Sequence, residues 1–257
     1  LESALRHALE RNELFLRYQP KVDTATGSML GVEALLRWHN PVHGTISPVR
    51  FIPIAEETRQ IIPIGEWVLR TACLQQVVWQ QQGLSLTMAV NLSAAQFQTS
   101  NLIEVVASIL DQTGIDPAFL ELELTESTLV HNPTEAAETL EKLRSLGVGI
   151  AIDDFGTGYS SLSYLKRFPV STLKIDRSFV RDLVTDPGDR AIAQSVVALS
   201  SNLNIKTVAE GVETQEQCVI LKAMGCNLVQ GFLYAKPMIA EEIPLAYAAI
   251  SSVQKNC

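Results

Sequence analysis

Histidine, cysteine and basic residues are scarce in this sequence of 257 residues. It has 4 His and 4 Cys, and no two cysteines form a CxxC pair, which argues against a zinc site and a disulfide framework. Lys and Arg number 20 against 28 Asp and Glu, so the formal net charge is −8. A protein that holds long nucleic acid presents a basic face to the phosphates. The composition therefore argues against that class of protein, and we expect the four thiols to be reduced, as in the cytosol.

Long apolar runs are also missing. No stretch reaches the roughly 18 apolar residues of a membrane-spanning helix, and the first residues, LESALRHALERNE, predict an amphipathic helix rather than a secretion signal. We expect no membrane contact by this domain, which would lie in the cytoplasm alone or as part of a larger, membrane-bound protein. Because the chain begins at Leu1, we expect 1–257 to be a single domain cut from a longer protein with an upstream regulatory or sensor domain.

Short β-rich runs alternate with helical patterns along the chain. Eight candidate strands cover Leu14–Gln19, Met29–Arg37, Leu86–Leu92, Phe119–Thr125, Val148–Asp153, Thr172–Ile175, Lys206–Ala209 and Asn227–Gly231. Five helical patterns cover Ile64–Gln82, Leu102–Thr113, Pro133–Leu146, Ala191–Leu203 and Gln215–Met224. Predicted C-caps follow four of these patterns at Gly83, Gly114, Gly147 and Gly225.

This alternation and the chain length predict an α/β fold, a TIM-like (β/α)8 barrel. The connection between the first two strands is too short for a helical crossover. We therefore expect one antiparallel strand near the N-terminus of a modified barrel.

Polar residues stand at the ends of the predicted strands. They are Gln19, Glu33, Arg37, Asn91, Glu123, Glu126, Asp153, Asp154, Lys174, Asp176, Glu210, Glu213 and Gln230. Active sites of such barrels lie at the C-terminal strand ends, so these side chains are expected around one centre. Each carboxylate alone also fits a helix N-cap or a solvated loop charge. Asp153 and Asp154 fit that alternative less well, because two acids after a buried strand need a compensating positive group.

The residue types at these strand ends suit phosphate chemistry with divalent ions. Oxygen ligands from Asp, Glu and Asn favour Mg²⁺ or Mn²⁺. Two such ions that share a carboxylate would position a water for attack on a phosphodiester. Lys174 would orient that water, or it forms a plain salt bridge with Asp176 or another acid. Arg37 could bind a phosphate through two hydrogen bonds. The residues alone thus predict a metal-dependent phosphodiesterase barrel.

The segment EALLR at 33–37 resembles the signature of EAL domains, the phosphodiesterases specific for cyclic di-GMP. Seven more segments stand in the order of that family: YQP at 18–20, NLS at 91–93, ELTE at 123–126, DDFGTGYSSL at 153–162, KID at 174–176, AEGVE at 209–213 and QGF at 230–232. The tripeptide EAL occurs by chance in many sequences, whereas the ordered set covers nearly the whole chain. The chain is thus similar to an EAL domain over its full length.

The resemblance implies hydrolysis of one phosphodiester bond of cyclic di-GMP to linear pGpG, which lowers this second messenger in bacterial signalling. It implies two metal sites that share one carboxylate: Glu33, Asn91, Glu123 and Asp153 for the first ion, and Asp153, Asp154 and Glu210 for the second. The implied catalytic residues are Glu33, Lys174, Glu210, Asp153 and Asp154. The implied substrate-binding residues are Gln19, Arg37, Asp176, Glu213 and Gln230.

Glu126 matches the family's anchor of the loop at 154–161. That loop resembles one at a dimer interface, so the resemblance also implies a homodimer. Residues 155–158 also allow a second interpretation, a glycine loop that binds phosphate. The segment lacks the spacing at the start of a helix that a dinucleotide-binding fingerprint requires, which argues against this interpretation. Two departures from the family, at His39 and Arg59, concern loop geometry and not the matched site.

The alternative function is a catalytically weak receptor or scaffold for cyclic di-GMP, as in relatives that have lost metal ligands. Every matched acid is present here, which favours the enzyme. We expect Ca²⁺ to inhibit, because it is larger and less demanding in geometry than Mg²⁺.

Overall fold

One closed sheet organises the protein in the computed structural model, which describes residues 1–130, 132–157 and 162–252. Its nine strands are β1 (Leu14–Asp23), β2 (Met29–Asn40), β3 (Gly44–Ile46), β4 (Thr87–Asn91), β5 (Leu120–Thr125), β6 (Gly149–Phe155), β7 (Thr172–Ile175), β8 (Lys206–Glu210) and β9 (Leu228–Gln230). The spatial order is β1-β9-β8-β7-β6-β5-β4-β2-β3, and an additional pairing of β1 with β2 closes the ring. The predicted barrel of eight strands is confirmed.

Strand direction follows the prediction as well. β1 is antiparallel to both of its neighbours, β2 and β9, whereas β2, β4 and the later strands pair in parallel. A tight turn joins β1 to β2, in which the Asp23 carboxylate accepts a 2.6 Å hydrogen bond from the Thr26 amide and Gly27 has φ 71°. This compact turn lets β1 run further than predicted, to Asp23, whereas pairing with β3 extends β2 to Asn40. The ninth strand, β3, was not predicted, since three residues show no periodicity.

The helices lie between the strands. They are α1 (Glu2–Leu5), α2 (Pro48–Glu57), α3 (Ile61–Gln81), α4 (Ala94–Phe97), α5 (Leu102–Thr113), α6 (Glu126–Val130), α7 (Pro133–Ser145), α8 (Leu162–Leu165), α9 (Arg177–Arg181), α10 (Pro187–Asn202), α11 (Gln215–Met224) and α12 (Ile243–Ser252). Short 3₁₀ turns cover Pro117–Phe119 and Ala240–Glu242. Among the described residues, no helix is long and apolar enough to cross a membrane.

The predicted bounds of α5 and α11 are confirmed at both ends. Both helices stop at a left-handed glycine, Gly114 with φ 69° and Gly225 with φ 92°. α10 begins earlier than predicted, because the Asp186 side chain caps it through the amides of Gly188 and Asp189. The predicted N-terminal helix is limited to α1.

Two of the four cysteines match the expected free thiols. Cys73 and Cys226 are buried and free. Cys218 is disulfide-bonded, so the expectation of a reduced thiol is wrong there. Cys257 lies outside the described residues.

The barrel interior carries charged side chains next to very small ones. Side chains two residues apart on a strand share a face, so Glu121 and Glu123 of β5 point to the same side. In the strand register, Ala89 of β4 pairs with Glu33 of β2, and Ala151 of β6 pairs with Glu123. Both alanines are fully buried. Their small size leaves room inside the ring for long polar side chains.

Candidate active site

The predicted site residues meet around one mouth of the barrel. A cleft of about 1020 Å³ opens there. Predicted residues that line it are Gln19, Glu33, Arg37, Asp153, Asp176, Glu210, Glu213 and Gln230. Asn91, Glu123, Asp154 and Lys174 contact these lining residues or lie within the same cluster. The structure thus brings all of the predicted metal and substrate residues into one region.

Lys174 occupies the centre of this region and is fully buried. Its Nζ atom lies 2.5 Å from Glu123 Oε2 and 2.7 Å from Glu210 Oε1. Asp153 Oδ2 lies 3.1 Å and Glu33 Oε2 3.6 Å from the same nitrogen. Burial alone would lower the pKa of Lys174, but the four carboxylates raise it well above its ordinary value. The ammonium is therefore charged, and its partners in the described chain are these four acids rather than Asp176.

Glu123 lies between two ammonium groups. Its side chain is fully buried, with Oε2 on Lys174 and Oε1 at 2.6 Å from Lys21 Nζ. Burial raises the pKa of Glu123, but Lys174 and Lys21 outweigh that effect and lower the pKa to about 2. Glu123 is consequently a carboxylate at neutral pH.

Glu33 is oriented by amides from both sides of the barrel. Asn91 Nδ2 donates to its Oε1 at 2.6 Å, and Gln230 Nε2 donates to its Oε2 at 2.7 Å. Gln230 Nε2 also donates to Gln19 Oε1 at 3.0 Å. Burial raises the pKa of Glu33. The side chain is thus held in place by three other predicted site residues, counting Lys174.

Asp153, Asp154 and Glu210 form a candidate metal-binding cluster, with one carboxylate oxygen of each within 4.8 Å of the others. Adjacent residues on a strand normally point to opposite faces. Here the pairing register of β6 with β7 shifts between Ile152 and Phe155, and Asp154 has φ 54° in the left-handed region. This irregularity turns two successive carboxylates into one site. The Asp154 amide donates to Asp153 Oδ1 at 2.9 Å.

Two acids of this cluster resist ionisation. Burial raises the pKa of Glu210 to about 8, despite the nearby Lys174 ammonium. Burial and the charge of Asp153 raise the pKa of Asp154 to about 6. The raised pKa values show that these carboxylates have too little positive charge nearby. A hard divalent cation binds carboxylate oxygens and would stabilise their ionised form. The residues present therefore fit a divalent ion.

The substrate side of the cleft is more exposed. Arg37 is half-buried, and its Nη1 donates to the Leu36 carbonyl at 2.9 Å. Burial and the neighbouring Arg17 lower the pKa of Arg37. Burial raises the pKa of Asp176, but hydrogen bonds from Ser178 outweigh it and lower the pKa, so Asp176 is ionised. Glu213 is exposed at the rim.

Glu126 contacts the loop that follows β6. The side chain is 6% exposed, and its Oε2 accepts a 3.1 Å hydrogen bond from the Gly156 amide. Residues 158–161 of that loop lie outside the described residues.

Sequence reasoning missed several residues of this region. Arg177, Ser178, Arg181, Phe232 and Pro237 also line the cleft. They lie beyond the strand ends on which the prediction relied. Lys21 was missed as well, although it stands two residues after Gln19 on the same strand, and that spacing is a signal for the same inward face.

Comparisons with known proteins agree with this architecture. The chain is 52% identical over 240 residues to the bifunctional diguanylate cyclase/cyclic di-GMP phosphodiesterase MucR of Pseudomonas aeruginosa, covering 93% of this chain and 35% of that protein. It is 42% identical over 244 residues to the cyclic di-GMP phosphodiesterase PA2567 of the same species, covering 95% of this chain and 42% of that protein. The chain thus spans less than half the length of both relatives.

A solved structure of the PaMucR phosphodiesterase in complex with c-di-GMP has a TM-score of 0.91 and 52% identity, and the match covers 94% of this chain and 98% of that one. The family model described as the EAL domain matches residues 2–237. With this match over nearly its whole length, the chain belongs to the EAL domain family.

Proposed function

We propose that this domain hydrolyses one phosphodiester bond of cyclic di-GMP to linear pGpG and so lowers this messenger in bacterial signalling. The observation that carries the proposal is the group of four carboxylates around the buried Lys174 ammonium, beside a cleft of about 1020 Å³. Relatives that match nearly the whole chain are named cyclic di-GMP phosphodiesterases, which supports the same substrate.

Two divalent ions, Mg²⁺ or Mn²⁺, would complete the site. Glu33, Asn91, Glu123 and Asp153 would hold the first, and Asp153, Asp154 and Glu210 the second. Asn91 donates to Glu33 through Nδ2, which leaves its amide oxygen as a ligand atom. Bound ions of this kind activate a water and neutralise charge on a phosphodiester.

The residues of the chain would share the remaining work. Lys174 keeps Glu123, Asp153 and Glu210 oriented through short contacts, and its ammonium would orient the attacking water. The guanidinium of Arg37 suits two-point binding of a phosphate oxygen pair. The linked amides of Gln19 and Gln230 would bind substrate beside it.

Asp176 and Glu213 line the same cleft and would accept hydrogen bonds from the N–H groups of guanine. Glu126, through its contact with Gly156, would anchor the loop between the metal centre and a dimer interface.

Chromatography of the products from cyclic di-GMP with Mg²⁺ or Mn²⁺ tests the proposal. We expect pGpG from the wild type and none from Glu33→Ala or Asp153→Asn. Glu104→Gln, a change of an exposed acid on α5, is the matched control and should leave turnover unchanged. A wild-type domain that binds cyclic di-GMP but never releases pGpG, at any level of either ion, would be a receptor or scaffold instead.

Ca²⁺ should inhibit the Mg²⁺-dependent reaction. It takes the same oxygen ligands at longer distances and with looser geometry, so it would occupy the site without presenting a water correctly. Full activity with Ca²⁺ alone would contradict the proposed geometry of the site.

We further propose that 1–257 is one phosphodiesterase domain of a longer cytoplasmic or membrane-attached protein with an upstream regulatory or sensor domain. Relatives more than twice as long as the matched region support this. We also propose a homodimer, and sedimentation with and without cyclic di-GMP would test it: a monomer under both conditions would contradict that part of the proposal.

A further inference from the structure

Lys21 lies one layer below the site and belongs to none of the proposed metal or substrate sets. Its side chain is 5% exposed, and its Nζ lies 2.6 Å from Glu123 Oε1 and 3.0 Å from Glu121 Oε1. Glu121 Oε2 accepts a 2.6 Å hydrogen bond from Thr172 Oγ1. The inner faces of β1, β5 and β7 thus carry a linked polar layer beneath the ring of proposed ligands.

The two oxygens of Glu123 have different partners. Oε2 contacts Lys174, whose other contacts are Asp153, Glu210 and Glu33, so Oε2 faces the proposed metal site. Oε1 contacts Lys21, which also binds Glu121 one pleat lower on β5. The plane of the carboxylate is therefore fixed by one ammonium on each side.

We infer that Lys21 is a positioning residue of the proposed phosphodiesterase: it holds Oε1 of Glu123 so that Oε2 alone is presented to the first proposed ion. This inference rests on the proposed function. Outer partners of metal ligands restrict the ligand to one orientation, and loss of such a partner costs about 10–100-fold in metal affinity. Without Lys21, Glu123 would keep only the contact with Lys174, which competes with an ion for Oε2.

A purely structural role for Lys21 would consist of balancing the charge of Glu121 and Glu123. A change at Glu121 distinguishes the charge-balancing role from the positioning role. Glu121 contacts Lys21 and Thr172 but none of the proposed metal ligands, so its charge can be removed without a direct effect on them. In the double variant Lys21→Met/Glu121→Gln, one positive and one negative charge are removed together. The lower layer stays balanced, whereas Oε1 of Glu123 still lacks its donor.

The test measures Mn²⁺ binding to the protein without dinucleotide, by electron paramagnetic resonance of free Mn²⁺. We expect about 10–100-fold weaker binding for Lys21→Met and for the double variant. Glu121→Gln alone, the matched control, should bind Mn²⁺ within about twofold of the wild type, because the Lys21–Glu123 contact remains. The double variant also keeps the test valid if Lys21→Met alone does not fold.

A second measurement uses turnover. The Mn²⁺ concentration for half-maximal activity should rise by the same factor in the double variant, while KM for cyclic di-GMP stays unchanged. Mn²⁺ affinity at or above the wild-type level in the double variant would overturn the inference and leave Lys21 a charge-balancing role. If the wild type binds Mn²⁺ but releases no pGpG, the proposed function fails, and the Mn²⁺ comparison still decides what Lys21 does to Glu123.

Discussion

Replacement of Lys174 by Met tests whether one ammonium compensates the central acids. The substitution removes the contacts with Glu123, Glu210, Asp153 and Glu33, all within 3.6 Å, from a site where Glu123 has no exposed side-chain surface. Breaking a buried ion pair by removing one partner costs about 3–5 kcal/mol. At about 2–4 °C per kcal/mol for a domain of this size, Tm should fall by about 6–20 °C.

Divalent ions should restore part of this lost stability. A ligand that binds only the folded state adds about 2.7 kcal/mol at 100 times its Kd. In Lys174→Met the acids lack their ammonium, so Mn²⁺ should stabilise the variant more than it stabilises the wild type.

Urea unfolding of both proteins, with chelator or with millimolar Mn²⁺, measures the four free energies of unfolding. Lys206→Met removes an exposed lysine at the start of β8 and serves as the control. If Lys174→Met lowers the free energy of unfolding by less than about 1 kcal/mol with chelator, the expected cost of breaking a buried ion pair is refuted. If Mn²⁺ raises the free energy of unfolding equally in the variant and the wild type, the ion and the ammonium do not bind the same acids.

Three further predictions concern backbone packing and pH. In Gly231→Ala the new Cβ would lie 2.1 Å from the Val212 carbonyl oxygen. This backbone clash should lower the free energy of unfolding by about 1–3 kcal/mol or more, and it should raise KM for cyclic di-GMP by displacing Gln230. Gly149→Ala is the control: its new Cβ would have no contact shorter than 3.4 Å, so neither the unfolding free energy nor KM should change much. The folded protein raises the pKa of Glu210 to about 8, so it holds the proton of this acid more tightly than the unfolded chain does. This contribution to stability is full below pH 4.5 and is lost as pH rises towards 8. The free energy of unfolding, measured with chelator, should therefore decline between pH 5 and 8, and a flat profile would contradict the raised pKa. Glu123 has the opposite effect, because its pKa is lowered to about 2 in the folded protein. Its contribution to stability should be lost as pH falls below 4.5, and Glu123→Gln should make the free energy of unfolding less dependent on pH in that range.

The barrel could be predicted because its signals are local. α5 and α11 end at glycines that adopt the left-handed conformation, and the strands are short apolar runs. Helices of four or five residues, such as α4 and α9, contain too few turns for a periodic pattern. Their only local signals are the caps at which they begin, the Ser93–Gln96 capping box for α4 and the Asp176 side chain for α9.

The site was predictable where the chain obeys the rule of strand ends, and not elsewhere. β1 runs opposite to the other seven strands of the closed ring, and its register pairs Gln19 with Glu33 but Lys21 with Gly31. Residues after Gln19 therefore descend into the barrel instead of rising to the site, which is why Lys21 lies below Glu123. The placement of Asp154 depends on a register shift and a positive φ, neither of which sequence periodicity encodes.

The charges of this interior favour two ions over one. The acids in contact with Lys21 or Lys174, together with Asp154, are Glu33, Glu121, Glu123, Asp153, Asp154 and Glu210. If all six carboxylates were ionised, they would exceed the two ammonium groups by four negative charges, and the raised pKa values of Glu210 and Asp154 are consistent with protonation in place of bound ions. Two divalent ions would balance this excess. One ion would leave two negative charges beside an anionic substrate, where they would oppose binding of its phosphates.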